Sequence, residues 1–210
     1  MKRVLIVGAG GFGREVAEWV RDSEEIITKR WELGGFLDKD SSALDGYDIG
    51  LPIVGDPDHF VPGPHDVFIC ALGFHKVKER VITVLLSRGA EFPPLIHPSA
   101  IIGHRCVLEE GCVICPRVVI TADVRVGRFA MLNLSTMVGH DVRIGAWSTL
   151  CPMTNLAGFV RLGARVFTGS QACVIPGKEV GDDAVLGAGC VVVRNVRPGV
   201  TVLGVPAKEV

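Results

Sequence analysis

Six histidines and seven cysteines are the chain's candidates for proton transfer, metal ligation or nucleophilic attack. His140 stands apart because Asp141 follows it. A carboxylate can orient an imidazole and stabilise its protonated form, which suits it to take a proton from an attacking amine or hydroxyl. On these two residues alone, a surface histidine beside an aspartate is an equal reading. Neighbours in an extended strand point to opposite faces, so the pair can meet only where the backbone turns. His104 has no adjacent acid, and His97, in His97-Pro98-Ser99, reads as structural. Cys112 and Cys115 form one C-x-x-C without a second pair or nearby histidines, which argues against zinc. The odd cysteine count argues against a disulfide framework. The cysteines read as small core residues and no metal is expected.

A second candidate lies near the start. Gly8-Ala9-Gly10-Gly11-Phe12-Gly13 fits G-x-G-x-x-G between a strand and a helix, where backbone amides can approach a phosphate. A tight strand-to-helix turn without a ligand is the plain alternative. Asp38, with Lys39, follows the second strand, where a carboxylate can accept from a ribose or base. Gly73 follows the third strand, at the sheet end where open α/β folds bind ligands, and Lys76 or Arg80 could meet phosphates there, with a solvated helix face an equal reading for Arg80. Some 90 residues are too few for a full dinucleotide fold, so one nucleotide is expected rather than NAD.

The elements that position these groups fall into two halves. Residues 1–92 alternate strand and helix: Arg3 to Val7, a helix from Phe12 to Val20, Leu33 to Leu37, Asp66 to Leu72, and a helix from Val77 to Ser87. That order predicts a Rossmann-like α/β half-fold. Pro93-Pro94 opens residues 93–210, where an aliphatic residue returns every sixth position from Ile96 to Val192, with Thr168 the one exception. Neither a helix nor a simple strand repeats in six; a parallel β-helix of hexapeptides does. Three hexapeptides make one coil, so the repeat predicts about five coils, roughly 25 Å tall at one strand spacing per coil. Glycine follows the aliphatic position eight times, as at Gly103 and Gly127, which suggests corners needing unusual backbone angles. Small residues two places before the stripe should fill the interior. Trp147 and Phe129 read as lone exposed aromatics.

Composition narrows the function. The formal net charge is −1, with no basic block, so binding to nucleic acid or to an anionic membrane is not expected. No segment reads as a membrane span, and the N-terminal apolar run is too short for a signal peptide. A cytoplasmic protein is expected.

The motifs GAGGFG, GFLDKD, LIHPSAIIG, VGHDVRIG and GVPAKEV, in that order, resemble the bacterial sugar acyltransferase family. It includes sialic acid O-acetyltransferases and UDP-4-amino-sugar N-acetyltransferases built on a left-handed β-helix. The resemblance implies acetyl-CoA as cosubstrate and a nucleotide-activated sugar as acceptor. It implies His140 as general base with Asp141 in support, and sugar-nucleotide contacts at Gly10, Gly11, Phe12, Gly13, Asp38, Lys39 and Gly73. Acyl-CoA contacts fall at Thr149, Gly158, Ser170, Gly187, Ala188 and Lys208, along a groove between prisms of a homotrimer. Phe12 and Thr149 stand where relatives often carry histidine. The alternatives are O-acylation of a small acceptor that is not nucleotide-linked, and a β-helix scaffold without chemistry.

Overall fold

A computed structural model describes all residues, 1–210, as two compact units, Met1–Pro98 and Ser99–Val210. The first holds a four-stranded parallel sheet. Its elements are β1 (Lys2–Val7), α1 (Gly11–Arg21), α2 (Glu24–Ile27), β2 (Trp31–Leu37), β3 (Ile53–Gly55), β4 (Asp66–Cys70) and α3 (His75–Ser87), with sheet order β3-β2-β1-β4. Val4 to Val7 are fully buried and all of β4 is buried, as expected of parallel strands covered on both faces. Val16, Ala17 and Val20 form the buried stripe of α1. The α2 turn and β3 escape the sequence pattern because four and three residues are too few to show a period.

Arg3 ties β1 to β4. Its guanidinium donates to both carboxylate oxygens of Asp66, at 2.7 and 2.9 Å, and the Gly63 amide also donates to Asp66 at 2.8 Å. The Asp66 side chain is only 3% exposed. Arg3 holds its carboxyl below the usual range, against burial.

The second unit is a parallel β-helix. Each two-residue strand pairs with the strand 18 residues on, as in Met131↔Thr149, Met137↔Asn155 and Arg143↔Arg161. The aliphatic stripe and the small residues before it fill the interior, from Cys112 and Ile114 to Cys190 and Val192. Thr168, the break in the stripe, is fully buried and satisfied. Its hydroxyl lies 2.7 Å from that of Thr154, which donates to the Cys151 carbonyl.

The corners differ from the sequence expectation. From Arg105 to Gly189 every sixth residue has φ between 55° and 70°, and only Gly111, Gly177 and Gly189 among them are glycine. The glycines that follow the stripe take ordinary φ. They are required by close approach, since a Cβ on Gly103 would overlap the Thr121 carbonyl oxygen and one on Gly127 would lie 2.7 Å from the Ala146 amide.

A second correction concerns Phe129 and Trp147, which are buried at 1% and 8% exposure. They are corner residues of successive coils, so their rings stack, with centroids 4.5 Å apart and planes 11° apart. The Arg128 guanidinium lies over both, and the bare Gly111 corner makes room for Phe129.

The outward rows of the three sheets differ. Val107, Arg125, Arg143, Arg161 and Glu179 make one charged row. The other two carry no charge: Ile101, Val119, Met137, Asn155, Cys173 and Val191 on one, Val113, Met131, Thr149, Phe167 and Val185 on the other. After the last coil Thr201–Leu203 continues one sheet, and the chain reverses so that Lys208–Glu209 pairs antiparallel with it. No helix is long and apolar enough to cross a membrane.

Candidate active site

His140 sits two residues past the stripe residue Val138, and Asp141 occupies the corner with φ 61°. This left-handed turn swings the Asp141 side chain back beside its neighbour. Nδ1 of His140 lies 2.9 Å from Oδ2 of Asp141, with the two side chains 57% and 41% exposed. With Nδ1–H donating to the carboxylate, Nε2 carries the lone pair that can accept a proton.

The next coil shapes the other side of the ring. Gly158 lies 18 residues on, and a Cβ there would come within 2.7 Å of His140 Cε1 and Nε2. Its amide has no acceptor within the chain. At three of the equivalent turns a side chain caps this amide: Glu109 accepts from Arg128, Asn133 from Leu134 and Asp182 from Ala164. Gly158 thus leaves an N–H free beside the imidazole. A shallow groove of about 260 Å³ runs over the preceding sheet, lined among others by Met137, Gly139, Asn155 and Ala157. One coil before Asp141, Asp123 accepts from Arg105 with both oxygens, at 2.6 and 2.7 Å, which holds its carboxyl low. His104 is exposed on the same column, two coils before His140, and its neighbour Arg105 is committed to Asp123.

The expected acyl-CoA contacts divide between corners. Gly158 adjoins His140, whereas Ser170 and Ala188 are exposed on adjacent coils of a different corner, beside Gly187. Lys208 is exposed on the terminal strand. Thr149 does not present its side chain in the single chain: it is 3% exposed in the middle of its sheet.

In the first unit a cleft of about 130 Å³ opens beyond the strand ends, lined by Gly8, Asp38, Lys39, Leu72 and Arg80 among others. Asp38 accepts from the Ala9 amide at 2.7 Å and from Asp40 at 3.0 Å, fixing the glycine-rich turn. Lys39 and Arg80 both engage Asp58. They hold its carboxyl below the usual range, Lys39 more strongly, against burial. Asp58 belongs to no motif, so the sequence offered no signal for it. Gly13 is packed so close to the Gly8 carbonyl that no side chain fits. Gly10 differs, with φ −66° and open space where a Cβ would stand. Gly73 is similarly open. Neither needs to be glycine for packing. Phe12 packs edge-on against Trp19, 5.6 Å away on the same helix, and does not line the cleft. No group of three His, Cys, Asp or Glu is placed to hold a metal ion.

Residues 3–85 match the PglD N-terminal domain and residues 159–194 the hexapeptide repeat of succinyl-transferase. A GDP-perosamine N-acetyltransferase of Escherichia coli O157:H7 is 29% identical, over 97% of this chain and 94% of its own. A structure from Caulobacter crescentus, described as PerB in complex with CoA and GDP-perosamine, aligns with TM-score 0.87 and 32% identity, covering 100% of this chain and 98% of the other. The chain belongs to the sugar acyltransferase family. This acyltransferase also aligns with the acetyltransferase domain of PglB from Neisseria gonorrhoeae in complex with acetyl coenzyme A, with TM-score 0.88, 26% identity, and 100% and 99% of the two chains covered. The Caulobacter enzyme has further been solved with one histidine replaced by asparagine or by alanine.

Proposed function

We propose that this acyltransferase moves the acetyl group of acetyl-CoA to an amino group of a nucleotide-activated sugar, with His140 as general base. The single observation that carries the reading is the His140–Asp141 contact. With Nδ1–H donating to the carboxylate, Nε2 is the nitrogen left to accept a proton, beside the Gly158 amide. The acceptor amine loses its proton to Nε2 as its nitrogen attacks the thioester carbonyl. Asp141 stabilises the imidazolium formed. In this reading the Gly158 N–H donates to the oxyanion. Collapse breaks the C–S bond, and the proton held on the imidazole neutralises the departing thiolate. An amine, rather than a hydroxyl, is favoured by relatives aligned over nearly the whole chain that are named N-acetyltransferases.

In this reading residues 1–92 bind the nucleotide-sugar and residues 93–210 bind acyl-CoA. Gly10 and Gly73 are glycine although neither packing nor backbone angle requires it, which suits a ligand lying against the backbone. Asp38, Lys39 and Gly11 complete that site. Ser170, Gly187, Ala188 and Lys208 lie away from the His140 corner. Their use with His140 requires a groove between copies, and the uncharged outer row with exposed Ile101 and Met137 supplies a face for a homotrimer.

The test is acetyl transfer from acetyl-CoA to a panel of GDP-, UDP-, dTDP- and CMP-linked 4-amino sugars, with His140→Ala as control. One nucleotide class among these acceptors should raise the melting temperature by binding the native state. The substitution should cost about 10²- to 10⁴-fold in kcat. Undiminished turnover in His140→Ala would overturn the mechanism, and acetylation only of unlinked small acceptors would overturn the substrate class.

A further inference from the structure

One hydrogen bond to a half-exposed carboxylate does not fix an imidazole plane. His140 is 57% exposed, and rotation about its ring axis would carry Nε2 away from the seam beside Gly158. A second contact constrains it. Phe159, at the corner of the following coil, meets His140 edge-on, with centroids 5.0 Å apart and planes at 89°. The same residue's amide donates to the His140 carbonyl at 2.9 Å, so backbone and ring are tied at one point. Folding alone does not explain a phenylalanine here. The position has φ 63°, in the left-handed region that costs a bulky side chain roughly 1–2 kcal/mol. The residue remains 57% exposed, so little burial offsets that cost. The next residue in the same column is Gly177, so the corner has no need of an aromatic.

We infer that Phe159 is a positioning residue for His140, holding the imidazole perpendicular to its ring so that Nε2 faces the groove between the two coils. Perpendicular aromatic pairs at this separation are electrostatically favoured and gain about 0.5–1.5 kcal/mol beyond burial. Asp141 fixes Nδ1, the bare Gly158 receives the Cε1–Nε2 edge, and Phe159 prevents the ring from turning about the line between them. The inference rests on His140 as the base of the proposed reaction.

The test uses the full chain carrying Phe159→Ala, Phe159→Leu or Phe159→Tyr, with His140→Ala beside them. The His140 ring protons are assigned in a carbon–proton spectrum by their loss in His140→Ala. In Phe159→Ala their aromatic ring-current displacement should vanish. With acetyl-CoA and the nucleotide-linked amino sugar turned over by the parent protein, kcat should fall roughly ten- to a hundredfold, as expected of a misplaced catalytic group. Both KM values should stay within about twofold, since no substrate contact is removed. Phe159→Tyr should restore kcat and Phe159→Leu should not. Unchanged kcat in Phe159→Ala overturns the inference. So does a rise in KM for one substrate alone, which would make Phe159 a substrate contact. Full activity in His140→Ala would instead remove the base reading itself, a result visible in the same series.

Discussion

Asp141 reaches back to His140 because the backbone turns left-handed between them: at φ 61° its Oδ2 stands 2.9 Å from Nδ1 of the preceding residue. In a straight strand the two side chains would face opposite ways. The corner and the dyad are therefore one feature, and substitution can separate them. Asp141→Gly keeps the turn, because glycine takes positive φ freely. Its melting transition should stay within about 1 kcal/mol of the parent, relief of strain offsetting the entropy of glycine. Acetyl transfer should fall about 10- to 1,000-fold as the imidazole loses its orienting acid. Calorimetry and kinetics on one preparation check both. A variant that loses stability but not turnover would show that Asp141 serves only the corner.

Gly158 and Gly103 are both crowded against the neighbouring coil but should respond oppositely to alanine. A Cβ at 158 meets the tip of the His140 side chain, which can swing aside. Gly158→Ala should fold normally and lose activity, through a displaced base. A Cβ at 103 meets the Thr121 carbonyl in the next coil, where no side chain can yield. Gly103→Ala must push adjacent coils apart and should cost several kcal/mol, on the scale of backbone overpacking, about 1–3 or more. Thermal melts and single-turnover rates distinguish the two.

The six-residue stripe was legible because every coil must put an aliphatic residue at the same interior point, and no other element has that period. The corners were not legible. Arg, Asp, Phe, Ser, Trp, Met and Gln all occupy positive φ there, so no turn residue marks the position. The conspicuous glycines mark close approach between coils instead. Phe129 and Trp147 misled for a related reason. They look isolated in the sequence, but their separation is 18 residues, one coil, which places their rings face to face. The same 18-residue step runs from His140 to Gly158 and is visible in the sequence. Asp58 is not, since its partners Lys39 and Arg80 come from distant segments and no spacing announces them.

The Trp147–Phe129 stack gives a prediction about the β-helix alone. Arg128 covers both rings, and the rings cover the corner that leads into Ala130 and Ser148. Trp147→Ala removes a nearly buried indole from a site that cannot close, because the coils on either side are fixed by backbone pairing. A loss of about 3–5 kcal/mol is expected. Trp147→Phe keeps the stack and should lose less than half of that. Denaturant titration of the two variants checks the ratio, and equal losses would mean that the stack adds nothing beyond volume.

Asp66 supplies the pH dependence of the first unit. Its carboxyl is held low first by the Arg3 hydrogen bonds, with the Gly63 amide adding to them and burial opposing. A carboxyl whose folded pKa lies below its unfolded value stabilises the fold above the unfolded value, near 3.9. That contribution is lost as pH falls through the lower, folded value. Asp66→Asn leaves Arg3 without a carboxylate and should cost about 1–3 kcal/mol at pH 7, with the lower end of that range set by the 43% exposure of Arg3. The gap between parent and variant should shrink as pH falls from the unfolded value near 3.9 toward the lower folded value. Hydrogen exchange of peptides spanning Lys2–Val7 and Asp66–Cys70 reads the opening of these two strands directly. If exchange there is equally fast in both proteins at pH 7, the Arg3–Asp66 pair does not hold β1 to β4.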